Sequence, residues 1–325
     1  MKVLLAHTPE MRRNYYGDRS LNGLRATAEV VLHESDETLV SASLVRAAQD
    51  VDIIVADRMT EGRGEIFPQL PRLRAFVRCA VDIRNVDVEA ASNAGVLVTR
   101  AGPGFVQAVA ELAVGFMVDL SRGVSRATAD YQAGRKPEAR MGRQLAGSKI
   151  GIIGYGSIGR YLADIAKVMR MEVLVADPFA TVTDSAIRQV SLDELLAASD
   201  YVVCLAIANE ETENLLDAAA FARMKPDAFF INMSRGNLVD EKALFQALNE
   251  NRIAGAAMDV GRAADQMPSP ELGHLENVIA TPHIGGLTPP ASESQAFDTV
   301  RQVEALVKGE VPPGAANLED WTRRV

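Results

Sequence analysis

The sequence predicts an α/β protein of two domains, each built on a parallel sheet, and three observations carry that expectation. Short apolar runs alternate with stretches of helical periodicity along most of the chain, the pattern of strands joined by crossover helices. The alternation is interrupted by a Gly/Pro break at residues 100–104 and resumes as a second αβ series near Ser148. The chain has 325 residues, which at roughly 150 per domain corresponds to about two domains.

In the first series, residues 2–7, 28–33, 52–57, 75–79 and 95–99 are short and rich in Val, Ile, Leu and Ala, and read as strands. Residues 39–48 carry apolar side chains at helical spacing, and residues 58–71 mix Gly, Pro and charge and read as a loop. Residues 106–125 read as one long helix leaving the break, the expected crossing between domains. Strands follow at 149–154, 171–177, 201–206, 228–233, 253–259 and 277–281, six in all, the size of a dinucleotide-binding sheet. Residues 291–308 are helical and lead to Val311-Pro312-Pro313 and a polar tail containing Trp321. There is no internal repeat and no low-complexity tract.

Composition narrows the function. Lys plus Arg is 34 and Asp plus Glu is 43, a net charge of −9, which argues against a binder of phosphate backbones. Apolar residues are 48% and charged residues 24%, values of a globular chain. Cys79 and Cys204 lie in unrelated segments without C-x-x-C spacing, so neither a disulfide framework nor a zinc knuckle is expected, and no metal site is assigned. No run approaches the roughly 18 apolar residues of a membrane span, and the N-terminal apolar run is shorter than the roughly 7–15 residues of a signal-peptide core. A cytoplasmic chain without nucleic-acid or membrane partners is expected.

Residues 154–159 read Gly-Tyr-Gly-Ser-Ile-Gly, between an expected strand and an expected helix. In that setting Gly154 permits the tight turn, Gly156 lets the backbone approach a pyrophosphate, and Gly159 lets helix and strand pack closely. The pyrophosphate would rest on the helix N-terminus, with Arg160 as a further phosphate contact. Asp177 ends the next strand, 18 residues beyond Gly159, where an acid hydrogen-bonds the adenine ribose and repels a 2′-phosphate. NAD rather than NADP is therefore expected. The structural alternative is a glycine turn with Asp177 capping the loop before Pro178.

Three further segments sit at later strand ends: Asn232-Met233-Ser234-Arg235-Gly236, then Ala257-Met258-Asp259-Val260 followed by Asp265, and Thr281-Pro282-His283-Ile284-Gly285-Gly286. Arg clamps a carboxylate or polarises a carbonyl, and His exchanges a proton near neutral pH. A carboxylate beside the His holds it as imidazolium. Together these suit reduction of a 2-oxo acid by a hydride donor. Singly, His283 has a reading as a structural hydrogen-bonder, Arg235 as a loop cap and Asp259 as the cap of its own strand.

The chain resembles the D-isomer-specific 2-hydroxyacid dehydrogenase family, which includes phosphoglycerate dehydrogenases and hydroxypyruvate/glyoxylate reductases. The similarity runs in order through Asn85-Val86-Asp87, Val109-Ala110-Glu111, Leu145-Ala146-Gly147, the glycine loop, Met224-Lys225-Pro226, residues 232–240, residues 253–257 and residues 281–286. The resemblance implies a flavodoxin-like substrate domain of residues 1–100 plus 288–325 and a Rossmann NAD-binding domain of residues 101–287, with the active site in the cleft between them. It implies that Arg235 binds the substrate's carboxylate and carbonyl and that His283 is the acid/base. Asp259 would bind the nicotinamide carboxamide, and Ser157, Ile158 and Asp177 the pyrophosphate and ribose, with Met233 and Gly285 as further cofactor contacts. A homodimer paired through the cofactor domain is implied as well.

Departures from the family pattern fall on substrate chemistry. The family's Glu lies five residues after the strand-end Asp, where this chain has Ala264, and Asp265 stands next to it as the expected partner of His283. The substrate-binding G-x-G segment is replaced by Ala80-Val81-Asp82, with Arg84 positioned to offset Asp82. Residues 100–103 and 205–207 also differ, Arg100-Ala101-Gly102-Pro103 replacing an N-x-P-G turn and Leu205-Ala206-Ile207 an H-x-P. The leading expectation is an NAD-dependent enzyme that interconverts a small 2-oxo acid and its D-2-hydroxy acid. The alternative is a non-catalytic NAD(H)-binding sensor or corepressor-like module on the same fold.

Overall fold

The computed structural model describes residues 1–264 and 266–324. It divides into two compact units, Met1–Phe105 with Thr288–Val325, and Val106–Leu287. Each unit holds one parallel sheet, as the αβ alternation requires.

The first unit contains β1 (Lys2–Leu5), β2 (Glu29–Leu32), β3 (Ile53–Ala56), β4 (Ala75–Arg78) and β5 (Leu97–Arg100), in the order β2-β1-β3-β4-β5. That is the flavodoxin-like order. All residues of β3 and β4 are buried, and such strands read as apolar runs because helices cover both faces. Side-chain alternation sends Leu4, Ile54 and Phe76 to one face, against Leu44 and Phe67. Val3, Leu5, Ile53 and Val55 go to the other, against Leu24 of the helix Gly17–Thr27 and Val300 and Leu306 of the helix Pro289–Val307.

The C-terminal tail closes onto the free edge of β5. Ala315 bridges Thr99 in antiparallel sense, the Arg100 N–H donates to Gly314 O at 3.0 Å and the Ala316 N–H to Val98 O at 2.8 Å. Gly314 is left-handed (φ 76°), and a Cβ there would lie 2.2 Å from Arg100 O. Asn317 completes the edge: its Oδ1 accepts the Val98 N–H at 2.8 Å, and its Nδ2 donates to Ser92 Oγ and Val96 O at 2.9 and 3.0 Å.

The second unit contains β6 (Lys149–Ile153), β7 (Glu172–Ala176), β8 (Ile187–Gln189), β9 (Tyr201–Cys204), β10 (Phe229–Asn232), β11 (Gly255–Met258) and β12 (Val278–Ala280), in the order β12-β11-β10-β9-β6-β7-β8. This is the doubly wound dinucleotide-binding order with one further strand beyond the sixth, and it reverses between β6 and β9. The edge strand β8 is the one the sequence reading omits: only Ile187 of its three residues is buried, so it shows no apolar run.

Two other expectations are corrected. The helix expected over 106–125 ends at Arg122, because Gly123 adopts φ 66° and a second helix, Val124–Gln132, starts after it. The Asp119 side chain holds the break by accepting the Ser125 N–H at 2.8 Å. Residues 58–71 are not all loop: the 3₁₀ helix Gly64–Gln69 puts Ile66 and Phe67 fully into the core.

Asn317→Ala removes the acceptor of a buried N–H and the donor to a buried carbonyl. It is expected to destabilise the protein by about 2–3 kcal/mol, since unsatisfied buried groups cost about 1–3 kcal/mol each; a urea midpoint unchanged from wild type would contradict this.

Candidate active site

The glycine loop joins β6 to the helix Ser157–Val168. Gly154 sits at φ 96°, and a Cβ there would lie 2.7 Å from the backbone of Leu205 and Ala206. A Cβ on Gly159 would lie 2.3 Å from Gly154 O. These two glycines are required by the protein's own backbone. Gly156 is different: a Cβ there would meet nothing within 4 Å. It is also the helix N-cap and makes no side-chain cap hydrogen bond, which leaves the first-turn N–H groups without a capping side chain. Arg160 stacks over the Tyr155 ring at 4.5 Å.

Asp177 follows β7. Its Oδ2 accepts the Tyr155 N–H at 2.7 Å, and its Oδ1 accepts the N–H groups of Phe179 and Ala180 at 2.8 and 3.1 Å. It therefore caps its own loop and ties that loop to the glycine turn. The carboxylate keeps further lone pairs, since each oxygen of an ionised carboxylate accepts about two hydrogen bonds.

Arg235, Asp259 and His283 follow the carboxyl ends of β10, β11 and β12, three strands adjacent in the sheet. Asn232 shapes the first of these loops, accepting the Ser234 N–H at 3.1 Å and donating to Arg235 O at 3.0 Å. Ser234 Oγ donates to Ala206 O at 2.5 Å, and Arg235 Nη1 to Ser234 O at 2.7 Å. A Cβ on Gly236 would lie 2.1 Å from the backbone of Gly261, so glycine lets the loops after β10 and β11 touch.

Asp259 is 2% exposed. Its Oδ1 accepts the Thr281 hydroxyl at 2.6 Å and the Ile284 N–H at 2.9 Å, and its Oδ2 accepts the Gly285 N–H at 2.8 Å. Its backbone carbonyl accepts the His283 N–H at 3.0 Å. The turn that carries His283 is thus wrapped around this one carboxylate. His283 itself takes a left-handed backbone (φ 54°), a conformation uncommon for a residue with a side chain and recurrent at functional sites. A Cβ on Gly285 would lie 2.8 Å from Asp259 Oδ2 and 3.2 Å from Met233 Cε, which brings Met233, Asp259 and Gly285 into one packed set.

Ala80, Val81 and Asp82 follow β4 in the first unit and are half-buried. Asp82 is gripped by Arg84, whose Nε donates to Oδ1 at 3.0 Å and Nη2 to Oδ2 at 2.6 Å. Sequence reasoning missed Arg78, which is 3% exposed and donates to the carbonyls of Asp57, Arg58 at 2.7 Å, Thr60 at 3.1 Å and Asp82 at 3.3 Å. An arginine ending an apolar strand was its only signal. Asp265 lies outside the described residues. Among the described residues no group of three His, Cys, Asp or Glu is placed to hold a metal, and no helix is long and apolar enough to cross a membrane. Burial pushes the thiols of Cys79 and Cys204 up to about 12, so neither is a nucleophile.

Residues 114–285 match the model of the D-isomer specific 2-hydroxyacid dehydrogenase NAD binding domain. A glyoxylate reductase of Pyrococcus furiosus is 33% identical over 315 residues, 93% of each chain. The chain belongs to the D-isomer specific 2-hydroxyacid dehydrogenase family. An (S)-sulfolactate dehydrogenase of Chromohalobacter salexigens is 34% identical over 275 residues, 82% of this chain and 89% of that one. The structure of a D-lactate dehydrogenase with NAD+ from Lactobacillus jensenii superposes with a TM-score of 0.84 at 25% identity, covering 97% of this chain and 99% of that one.

This D-2-hydroxyacid dehydrogenase is an NAD-dependent enzyme with a glycine loop after β6. Two of its glycines are filled by backbone and the third faces unfilled space at a helix N-terminus, where a pyrophosphate is favoured. The matched relatives with printed activities are reductases and dehydrogenases, which does not favour a non-catalytic module.

Asp259→Asn puts an NH2 group against at least one of the three donors that surround the carboxylate. The Ile284 and Gly285 amides are expected to exchange with solvent about tenfold faster or more, the cost of a buried donor left unmatched. Unchanged protection at both amides would show that the carboxylate does not hold the turn.

Proposed function

We propose that the protein reduces a small 2-oxo acid to its D-2-hydroxy acid, and catalyses the reverse oxidation, with NAD(H). The observation that supports this most is the delivery of Arg235 and His283 by β10 and β12 on either side of β11, whose Asp259 holds the His283 turn. Open parallel sheets bind ligands beyond their carboxyl edge, where all three lie.

In this reading the second unit binds the cofactor through Gly154, Gly156, Gly159, Ser157, Ile158 and Asp177, with Met233, Asp259 and Gly285 around the nicotinamide. When bound, NADH supplies a hydride to the substrate's carbonyl carbon. Arg235 pairs with the substrate carboxylate and draws charge toward the carbonyl oxygen. His283, as imidazolium, donates the proton that this oxygen takes up; in oxidation the neutral imidazole takes it back. Asp265 is the proposed carboxylate partner of His283. The first unit is the proposed substrate unit, with Ala80, Val81 and Asp82 as its candidate substrate-binding residues.

We also infer a cytoplasmic homodimer paired through the cofactor unit. In support, a groove of about 1250 Å³ runs over this unit between the helices Val106–Arg122 and Val124–Gln132, β12 and the segment that carries Met141. Met141, which lines it, is fully exposed, and Tyr131 on the helix Val124–Gln132 is 71% exposed. Apolar side chains this open suit a second copy of the same surface.

Two measurements test the catalytic reading. Arg235→Ala is expected to lower kcat/KM for reduction by about 10²–10³-fold while NADH affinity stays near wild type; retention of most of the activity would remove Arg235 from the site. NADH is expected to bind about tenfold or more tighter than NADPH, because a 2′-phosphate beside the Asp177 carboxylate meets like charge. Equal affinities in a fluorescence titration would reject Asp177 as the selector.

A further inference from the structure

Asp259 has one more acceptor site than its own chain fills, and Thr281 decides which oxygen carries it. An ionised carboxylate offers about two acceptor sites on each oxygen. Both sites of Asp259 Oδ1 are taken, by the Thr281 hydroxyl at 2.6 Å and the Ile284 N–H at 2.9 Å. Oδ2 accepts the Gly285 N–H at 2.8 Å, so among the described residues its second site is left for a donor from outside the chain. At 2% exposure little bulk water competes for that site, which strengthens a hydrogen bond made there. Gly285 keeps a side chain off the same oxygen: a Cβ there would lie 2.8 Å from Oδ2, 3.2 Å from Met233 Cε and 3.5 Å from Val109 Cγ2.

Thr281 is a stiff holder of this arrangement. Its backbone is pinned from both sides: the N–H donates to Met258 O at 3.0 Å, and the carbonyl accepts the His283 N–H at 2.9 Å. Pro282 follows it and restricts it to extended backbone. The branched Cβ leaves the side chain few rotamers. A hydroxyl has one proton to give, and Thr281 gives it to Oδ1. The carboxylate is thus held by one donor on a stiff side chain and two on the backbone of the His283 turn. Without the hydroxyl each oxygen would hold one backbone N–H, and the two would be equivalent as acceptors. The hydroxyl is what makes them different.

We propose that Thr281 is a positioning residue for the cofactor: by filling Oδ1 of Asp259 it directs the N–H donor of the nicotinamide carboxamide to Oδ2, and so sets which way the nicotinamide is turned. The inference rests on the reading of Asp259 as the partner of that carboxamide, and adds the residue that gives the partnership its direction. Thr281 acts through Asp259 alone and touches neither cofactor nor substrate in this scheme.

The test is calorimetric titration of wild type, Thr281→Val and Thr281→Ser with NADH and with its reduced 3-acetylpyridine analogue, in which a methyl ketone replaces the carboxamide and the N–H donor is lost. Wild type is expected to bind NADH about tenfold or more tighter than the analogue, the worth of one hydrogen bond to a charged group. Thr281→Val keeps the shape of the side chain without its hydroxyl, and is expected to lower that ratio about threefold or more, because the carboxamide then meets two equivalent oxygens and no fixed one. The fall should come from weaker NADH binding, with the analogue little changed. Thr281→Ser restores the hydroxyl and is expected to bring the ratio back near the wild-type value. A role in stability alone would weaken both ligands together and leave the ratio where it was. A wild-type preference for NADH that Thr281→Val does not reduce, or a ratio in Thr281→Ser as low as in Thr281→Val, overturns the assignment to Thr281 and leaves the Asp259 reading intact. Equal binding of the two ligands by wild type overturns both. If Thr281→Val does not fold, Thr281→Ala removes the same hydroxyl and is read in its place by the same outcomes.

Discussion

A carboxylate taken out of water must find donors, and the cost of leaving it unmatched is far larger than the gain from any one bond. Asp259 solves this with a hydroxyl and two backbone N–H groups, all from residues 281–285. That solution makes the loop after β12 fold around the end of β11. The His283 backbone is then carried into a left-handed conformation it would not choose alone. Positioning of the expected acid/base is thus a by-product of satisfying a buried charge on the neighbouring strand.

The neighbouring loops are fixed by closeness rather than charge. Gly236 against Gly261, and Gly154 against Leu205 and Ala206, are contacts between backbones with no room for a Cβ. They stack the turns after β6, β9, β10 and β11 edge to edge, each braced by the next. Ser234 adds a hydroxyl bond across the same seam, to Ala206 O. A loop held by its neighbours in this way keeps the backbone of Arg235 within a small range of positions.

How much of this was legible follows from what a linear pattern records. Strands buried on both faces are apolar runs, so β3, β4, β6, β9 and β10 stand out; β8, with one buried residue, does not. Periodicity ran through Gly123 because a single glycine leaves the apolar spacing intact, and only its φ reveals the break. Ile66 and Phe67 were hidden by their Gly, Pro and charged neighbours. At the site, the glycine fingerprint and the positions of Arg235 and His283 are features of order along the chain, which a sequence displays. The direction of a carboxylate's hydrogen bonds is not. Asp177 and Asp259 were both open to a capping role, and the structure shows each of them capping, whatever else they bind.

Arg78 does in the first unit, with the opposite sign, what Asp259 does in the second. A buried guanidinium has donors only, so it gathers carbonyls: those of Asp57, Arg58, Thr60 and Asp82. The carbonyl of Ala80 is tied as well, accepting the Ala101 N–H at 3.0 Å. In a trans peptide the C=O and the following N–H point in opposite directions. Fixing the Ala80 and Asp82 carbonyls inward therefore turns the N–H groups of Val81 and Ile83 the other way. Neither Ala80 nor Asp82 takes a left-handed φ among the described residues, so this arrangement needs no glycine at either position.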